Sequence, residues 1–322
     1  MLLELVEYHW VEHIDDALLL LGRPDTKTVP LAGGTSLLGL QDDTIQAVVD
    51  LRDLGLAYIT EDQHSIHIGA MTTLQSMVDA SLLKEFATGL LSRAALASSS
   101  SRLIRNSATI GGTLAVGVAS QADLLTALVA LNAEVVVRSG SKTQFNLSAG
   151  TSERPGLGLS GVVYRGKQER RLNCSSLSME RRPSELIIEV VVPRPGLQSG
   201  ISFARIARTS SDVALLNVAV LVEVENETYR RVHLAFGGAN MEPVRVYGVE
   251  RQLAGQAVAH PVNGQQLLEA LRVGMAEFRP PSDMRVSSGY RRVCAMKLAY
   301  HALEEATNVA HWRGMVSSER GR

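Results

Sequence analysis

Two short stretches place bare, donor-rich backbone beside hydroxyl side chains: "PLAGGTS" over residues 30–36 and "SATIGGTLA" over residues 107–115. Glycine lets successive amides turn into one concavity, and such a concavity binds anions, phosphates above all. Thr35, Ser36 and Thr113 add hydroxyl donors next to the glycines. Hydrogen bonds to a charged group contribute about 1.5–3 kcal/mol each, so several convergent amides would hold a pyrophosphate. Turns that merely reverse the chain are the plainer alternative, and the residues alone leave both readings open. Neither stretch is a G-x-G-x-x-G fingerprint, and neither ends in Gly-Lys-Ser/Thr.

Other chemistry-bearing groups read as structural. His64 and His67 alternate along one strand with no third histidine or carboxylate at matching spacing, which points to exposed hairpin residues rather than metal ligands. Ser98 to Ser101 lacks a G-x-S-x-G frame and reads as the end of a helix. Asp283, Arg285, Tyr290, Arg291 and Arg292 surround the start of the last helix as caps and ion pairs. The chain has two cysteines, Cys174 and Cys294, too few for an iron–sulfur cluster or a four-cysteine zinc site of its own. Redox chemistry would therefore come from a bound organic cofactor or from a partner.

The elements that must position the glycine turns alternate in type. "DDALLLLG" spaces its apolar residues as a short helix ending at Gly22, and "KTVPL" is a strand leading into the first turn. "AVVDL" is a buried strand, and "LAYITEDQHSIHIGA" alternates around a polar turn as a hairpin does. "TLQSMVDASLL" and "ATGLLSRAALASSS" have helical spacing and precede the second turn; "ADLLTALVALNAEVVVRS" then supplies a helix and a strand. Residues 139–182 carry Gly, Ser and Arg without sustained periodicity, the pattern of an irregular insertion. Beyond them "ELIIEVVVP", "ISFARIAR", "VALLNVAVLVEVE" and "RRVHLAFGG" are consecutive strands, which suggests an antiparallel sheet. Helices near Val249, through "GQQLLEALRVGMAEF" and through "SGYRRVCAMKLAYHALEEA" follow, and "HWRGMVSSERGR" reads as a frayed tail.

Bulk properties bound the function. A chain of 322 residues suggests about two domains. Lys plus Arg number 32 against 33 Asp plus Glu, so no global field recruits nucleic acid. No apolar run approaches the roughly 20 residues of a membrane span, and "MLLELVEYHW" is acidic where a signal peptide is basic. The expected location is cytoplasmic.

Taken in order, "AGGTSLL", "SRLIRNSATIGGTLA", "ADLLTALVALNAEV", "ISFARIARTSSDVALLNVAV" and "SDMRVSSGYRRVCAMKLAYHAL" resemble the FAD-binding (medium) subunit of the molybdenum hydroxylases, the family of carbon monoxide dehydrogenase medium subunits and xanthine dehydrogenase flavin domains. The resemblance implies an α+β protein: a two-lobed α/β FAD-binding domain of the PCMH type over residues 1–182, then a domain over residues 183–322 with a small antiparallel sheet and helices. It implies FAD as cofactor, with the pyrophosphate held by Ala32, Gly33, Gly34, Thr35 and Ser36 and by Thr109, Ile110, Gly111, Gly112 and Thr113. The family usually has Asn where this chain has Thr113. Asp123 matches an acidic position near the flavin or ribityl chain, and a helix N-cap is its other reading. Arg205, Arg208 and Asp212 match polar strand positions on the cofactor side, or else form a solvated strand face.

The same resemblance implies no catalytic residue and no metal in this chain. A molybdopterin-binding large subunit would hydroxylate substrate, a two-iron two-sulfur small subunit would relay electrons, and the assembly would be a dimer of heterotrimers. This chain's FAD would pass the electrons to an external acceptor. A self-sufficient FAD-dependent reductase or oxidase of the same fold, or a non-redox scaffold without FAD, are the alternatives. The basic stretch Arg165 to Arg182 is a further expectation, as a docking or acceptor-access surface or a solvated loop.

Overall fold

The computed structural model describes residues 4–40, 42–117, 122–140, 168–276 and 278–320. A small first lobe contains β1 (Glu7–Trp10), α1 (Ile14–Leu21), β2 (Thr28–Leu31) and β3 (Ala47–Asp50). Its strands are parallel in the order β1-β3-β2. The central strand β3 is buried at all four positions, which suits its unbroken apolar run. Helix α1 has Asp15 and Asp16 in its first turn, and Ala17, Leu18 and Leu20 join Val49 and Leu51 in a local core. Strand β1 escapes sequence reading because it is a four-residue edge strand with only partial burial.

The second lobe begins with the expected hairpin, β4 (Ile59–Glu61) and β5 (Ser65–Gly69). A helical layer follows: α2 (Leu74–Asp79), α3 (Ser81–Glu85), α4 (Leu90–Ser98), α5 (Arg102–Ser107), α6 (Ile110–Val116) and α7 (Ala122–Ala130). Next come β6 (Glu134–Ser139), β7 (Gln168–Asn173), α8 (Leu177–Glu180) and β8 (Glu185–Pro193). These strands complete a sheet in the order β4-β5-β8-β6-β7.

Two expectations change here. The irregular stretch expected over residues 139–182 is ordered at its end, where the polar sequence "QERRLN" pairs with β6 as an edge strand. An edge strand needs no alternating apolar pattern to be held by backbone pairing. Residues 141–167 lie outside the described residues. Strand β8, expected among the C-terminal strands, instead lies between β5 and β6 of this sheet. Division of the chain after residue 182 therefore separates β8 from the sheet it belongs to.

The remaining strands form an antiparallel sheet: β9 (Ser199–Ile206), β10 (Leu216–Glu225), β11 (Thr228–Gly238) and β12 (Met241–Arg245), in the order β12-β11-β10-β9. Helices α9 (Tyr247–Leu253), α10 (Gly264–Gly274) and α11 (Ser288–Arg320) cover one face, sharing a core built on Val218, Val220, Leu234 and Phe236. The expected frayed tail is a continuation of α11 to Arg320. Ala306 and Ala310 are buried, and the Arg313 guanidinium donates to the Ser199 carbonyl, so the established helix extends at little cost.

Helix α7 joins the two halves. All nine of its residues are buried, as an apolar helix without a polar face requires. It packs on α4 in the second lobe and on β10, β11 and β12 of the antiparallel sheet.

Candidate functional site

The two glycine turns, far apart in sequence, meet. A cavity of about 300 Å³ is lined by Ala32 to Leu37 from the first turn, by Thr109 and Gly111 to Thr113 from the second, and by Leu186 and Ile187 of β8. The first turn leaves β2, whose pairing with β3 ends at Leu31 and Asp50. The second turn opens α6, with Thr109 as its N-cap.

The approach explains the first glycine pair. A Cβ on Gly33 would overlap the Ser107 carbonyl oxygen, so only glycine lets the two turns touch. Gly34 has φ +70°, a left-handed conformation that costs other residues about 1–2 kcal/mol. Across the contact, a Cβ on Gly112 would lie 3.9 Å from the Ala32 Cβ.

The turns differ as donors. Among the described residues, none of the amides from Ala32 to Ser36 donates a hydrogen bond within the chain. Those of the second turn from Ile110 to Thr113 are spent. Ile110 donates to the Thr72 carbonyl at 3.0 Å, Gly111 to Ala70 at 2.9 Å, and Thr113 to Thr109 at 2.9 Å. The Gly112 amide donates to Thr109 Oγ1 at 3.1 Å, and the Thr113 hydroxyl donates to the Thr109 carbonyl at 2.8 Å. The first turn thus keeps a run of amide donors for an anion, while among the described residues the second keeps only that of its N-cap Thr109.

Asp123, Arg205 and Arg208 do not line this cavity. Asp123 is buried in the first turn of α7, where its carboxylate accepts from Asn217 Nδ2 at 2.7 Å and lies 3.4 Å from Arg205. Burial raises the Asp123 pKa, with Arg205 and Asn217 opposing the rise. The Arg205 guanidinium also donates to the carbonyls of Ser210 and Asp212, while its buried Nε has no partner among the described residues. Arg208 is exposed and pairs with Asp212 at 3.4 Å. These residues form a polar knot where α7 meets β9 and β10.

The basic stretch is partly absorbed into the fold. Arg170 holds Glu185 through two contacts of 2.8 Å, and Arg171 lies 3.4 Å from Glu134. Arg181 lines the cavity, a position that sequence reading missed because nothing in an arginine-rich run distinguishes it. His67 lies between two carboxylates that accept from its ring, Asp62 at 3.0 Å and Glu189 at 3.2 Å, and Asp62 chiefly raises its pKa. Arg291, fully buried, donates to the carbonyls of Leu215, Pro281 and Ala239 and pairs with Asp283, the expected structural role.

This arrangement of a two-lobed PCMH-type domain, joined to an antiparallel sheet and helices, defines a FAD-binding subunit. Residues 4–151 match the family described as the FAD binding domain in molybdopterin dehydrogenase, and residues 201–306 match the CO dehydrogenase flavoprotein C-terminal domain. The chain belongs to the family of FAD-binding medium subunits of the molybdenum hydroxylases; it is an oxidoreductase subunit whose cofactor is FAD. It is 24% identical over 302 residues to the glyceraldehyde dehydrogenase medium chain of Sulfolobus acidocaldarius, covering 92% of this chain and 97% of that one. It is 26% identical over 315 residues to the xanthine dehydrogenase FAD-binding subunit of Escherichia coli O157:H7, covering 95% and 98%. A carbon monoxide dehydrogenase structure from Hydrogenophaga pseudoflava has the same fold, with a TM-score of 0.76 at 22% identity over 95% of this chain and 98% of that one. Among the described residues, no helix is long and apolar enough to cross a membrane.

Proposed function

We propose that this chain is the electron-transfer flavin subunit of a molybdenum-containing hydroxylase, and that it seats the FAD diphosphate in the cavity between its two glycine turns. The observation that carries the reading is the row of unused amides from Ala32 to Ser36, in residues that line a cavity in a chain of a FAD-binding family. The diphosphate fits such a row because each oxygen accepts from backbone donors that have no other partner. When bound, FAD supplies stepwise acceptance and release of electrons, while the protein supplies binding, orientation and electrostatics. Gly33 and Gly34 shape the donor turn, and Thr109 holds the opposite wall through its cap. The apolar residues Leu37, Met71, Leu186 and Ile187 exclude water beside it.

Two cysteines cannot ligate an iron–sulfur cluster, so any cluster that relays electrons to this FAD belongs to another chain. The partners we assign are a molybdopterin-binding large subunit and a two-iron two-sulfur small subunit, assembled as a dimer of heterotrimers. Asp123 and Arg205, at the junction of the two halves, are proposed to complete the cofactor's surroundings, with Arg208 at its outer rim. We also draw the domain boundary after β8, near residue 193.

Rapid mixing of the assembled complex tests this assignment. With FAD removed from this chain, substrate should still reduce the clusters of the partner, while delivery of electrons to the external acceptor is lost. Substrate turnover by the isolated chain would instead identify a self-sufficient flavin enzyme.

A further inference from the structure

The cavity between the glycine turns needs positive charge, and among the described residues its lining contains one basic side chain, Arg181, and one acidic one, Glu185. Glu185 is already neutralised, since Arg170 grips both carboxylate oxygens at 2.8 Å and the Arg182 amide donates to one of them at 2.8 Å. Arg181 has no such partner. Among the described residues it forms no ion pair, and its hydrogen bond is to the Glu185 backbone carbonyl at 3.2 Å. A partly buried cation without an anion is costly, and a ligand that brings the anion removes that cost.

The donor inventory of the second turn sharpens the point. Its amides from Ile110 to Thr113 and the Thr113 hydroxyl are committed within the chain, so among the described residues a bound dianion would meet free amides at Ala32 to Ser36 and, from the second turn, only at Thr109. Amides of one turn carry partial charge and leave much of a diphosphate's charge uncompensated. We propose that Arg181 is the counter-ion of the FAD diphosphate, supplying in the same cavity the charge that the second glycine turn does not. Burial lowers the Arg181 pKa from its ordinary value, while the Glu185 carboxylate opposes the shift, which fits a guanidinium held ready for an anion. Planar, always-charged arginine suits this task because it can donate two parallel hydrogen bonds to phosphate oxygens.

This inference rests on the seating of FAD in the cavity, and the experiment separates the two. FAD is titrated into the full-length apoprotein and into Arg181→Gln and Arg181→Lys, at low and high salt, following flavin fluorescence. Apoprotein melting checks that each variant is folded. Arg181→Gln should raise the FAD dissociation constant by roughly 10- to 100-fold at low salt, the range expected for a charged hydrogen-bonded pair. Its salt dependence should flatten, and Arg181→Lys should recover part of the affinity. ADP, which carries the diphosphate without the flavin, should lose affinity for Arg181→Gln by a factor similar to that for FAD. The midpoint potential of bound FAD should move little. Wild-type affinity in Arg181→Gln would overturn the assignment, and if the potential moved instead, Arg181 would face the flavin ring. Failure of wild-type apoprotein to take up FAD would overturn the seating itself.

Discussion

Gly34 and His67 show how single residues tie the fold to measurable behaviour. Gly34 sits at φ +70°, so Gly34→Val should strain the turn by about 1–2 kcal/mol and reduce FAD retention. Gly112→Val should do so by crowding Thr109 Oγ1, 3.0 Å from the added Cβ, and flavin content per chain after purification measures both. For His67 the folded pKa lies above its unfolded value of 6.5, raised first by Asp62 and also by Glu189, against burial. The raised value means that the protonated ring stabilises the fold fully below the unfolded pKa, and that this contribution is lost as pH rises through the folded one. The melting-temperature gap between wild type and His67→Gln should thus be wider near about pH 6 than near about pH 9. The glycine pairs were legible as a candidate anion site because glycine beside hydroxyls has a mechanism. Arg181 was not, since only the β7–α8–β8 connection carries it to the cavity, and the commitment of the Ile110 and Gly111 amides depends on Thr72 and Ala70, far earlier in the chain.

Among the elements, those with strong periodicity were readable in advance: α1, the β4–β5 hairpin, α7 with β6, and the β9–β10–β11 run all lie where their patterns place them. Strand β8 was readable as a strand but not as a member of its sheet, because "ELIIEVVVP" is apolar enough to be central in either and pairing is a non-local choice. Strand β7 and the end of α11 lack apolar periodicity; pairing with β6 holds the one and helix propagation the other. The start of α11 is fixed by the buried guanidinium of Arg291, which satisfies three carbonyls and Asp283. Arg291→Met removes that cation and leaves buried acceptors unpaired, so urea unfolding should show a loss of about 3–5 kcal/mol. A loss below about 1 kcal/mol would show that water replaces the guanidinium.

At the scale of the whole molecule, α7 belongs to the core of the second lobe and packs Val129 and Ala130 on Ala219 and Ala235 of the antiparallel sheet, and the knot of Asp123, Arg205 and Asn217 ties its first turn to that sheet. That helix ties the second lobe to the antiparallel sheet, while the cavity lies between residues 29 and 187, where the close approach of Gly33 to Ser107 holds the two turns together. The family resemblance in ordered motifs foretold this two-part plan; periodicity alone could supply its pieces but not the meeting of residues 33 and 107. The central claim is that the meeting of these two turns makes the FAD diphosphate site. Its most direct test is the flavin-to-protein ratio of the full chain loaded with FAD, compared with Gly34→Val and Gly112→Val, with circular dichroism confirming that the antiparallel sheet remains folded. The account predicts one FAD per wild-type chain and a marked loss in both folded variants. A wild-type chain that takes up no FAD, or folded variants that retain it fully, would contradict it.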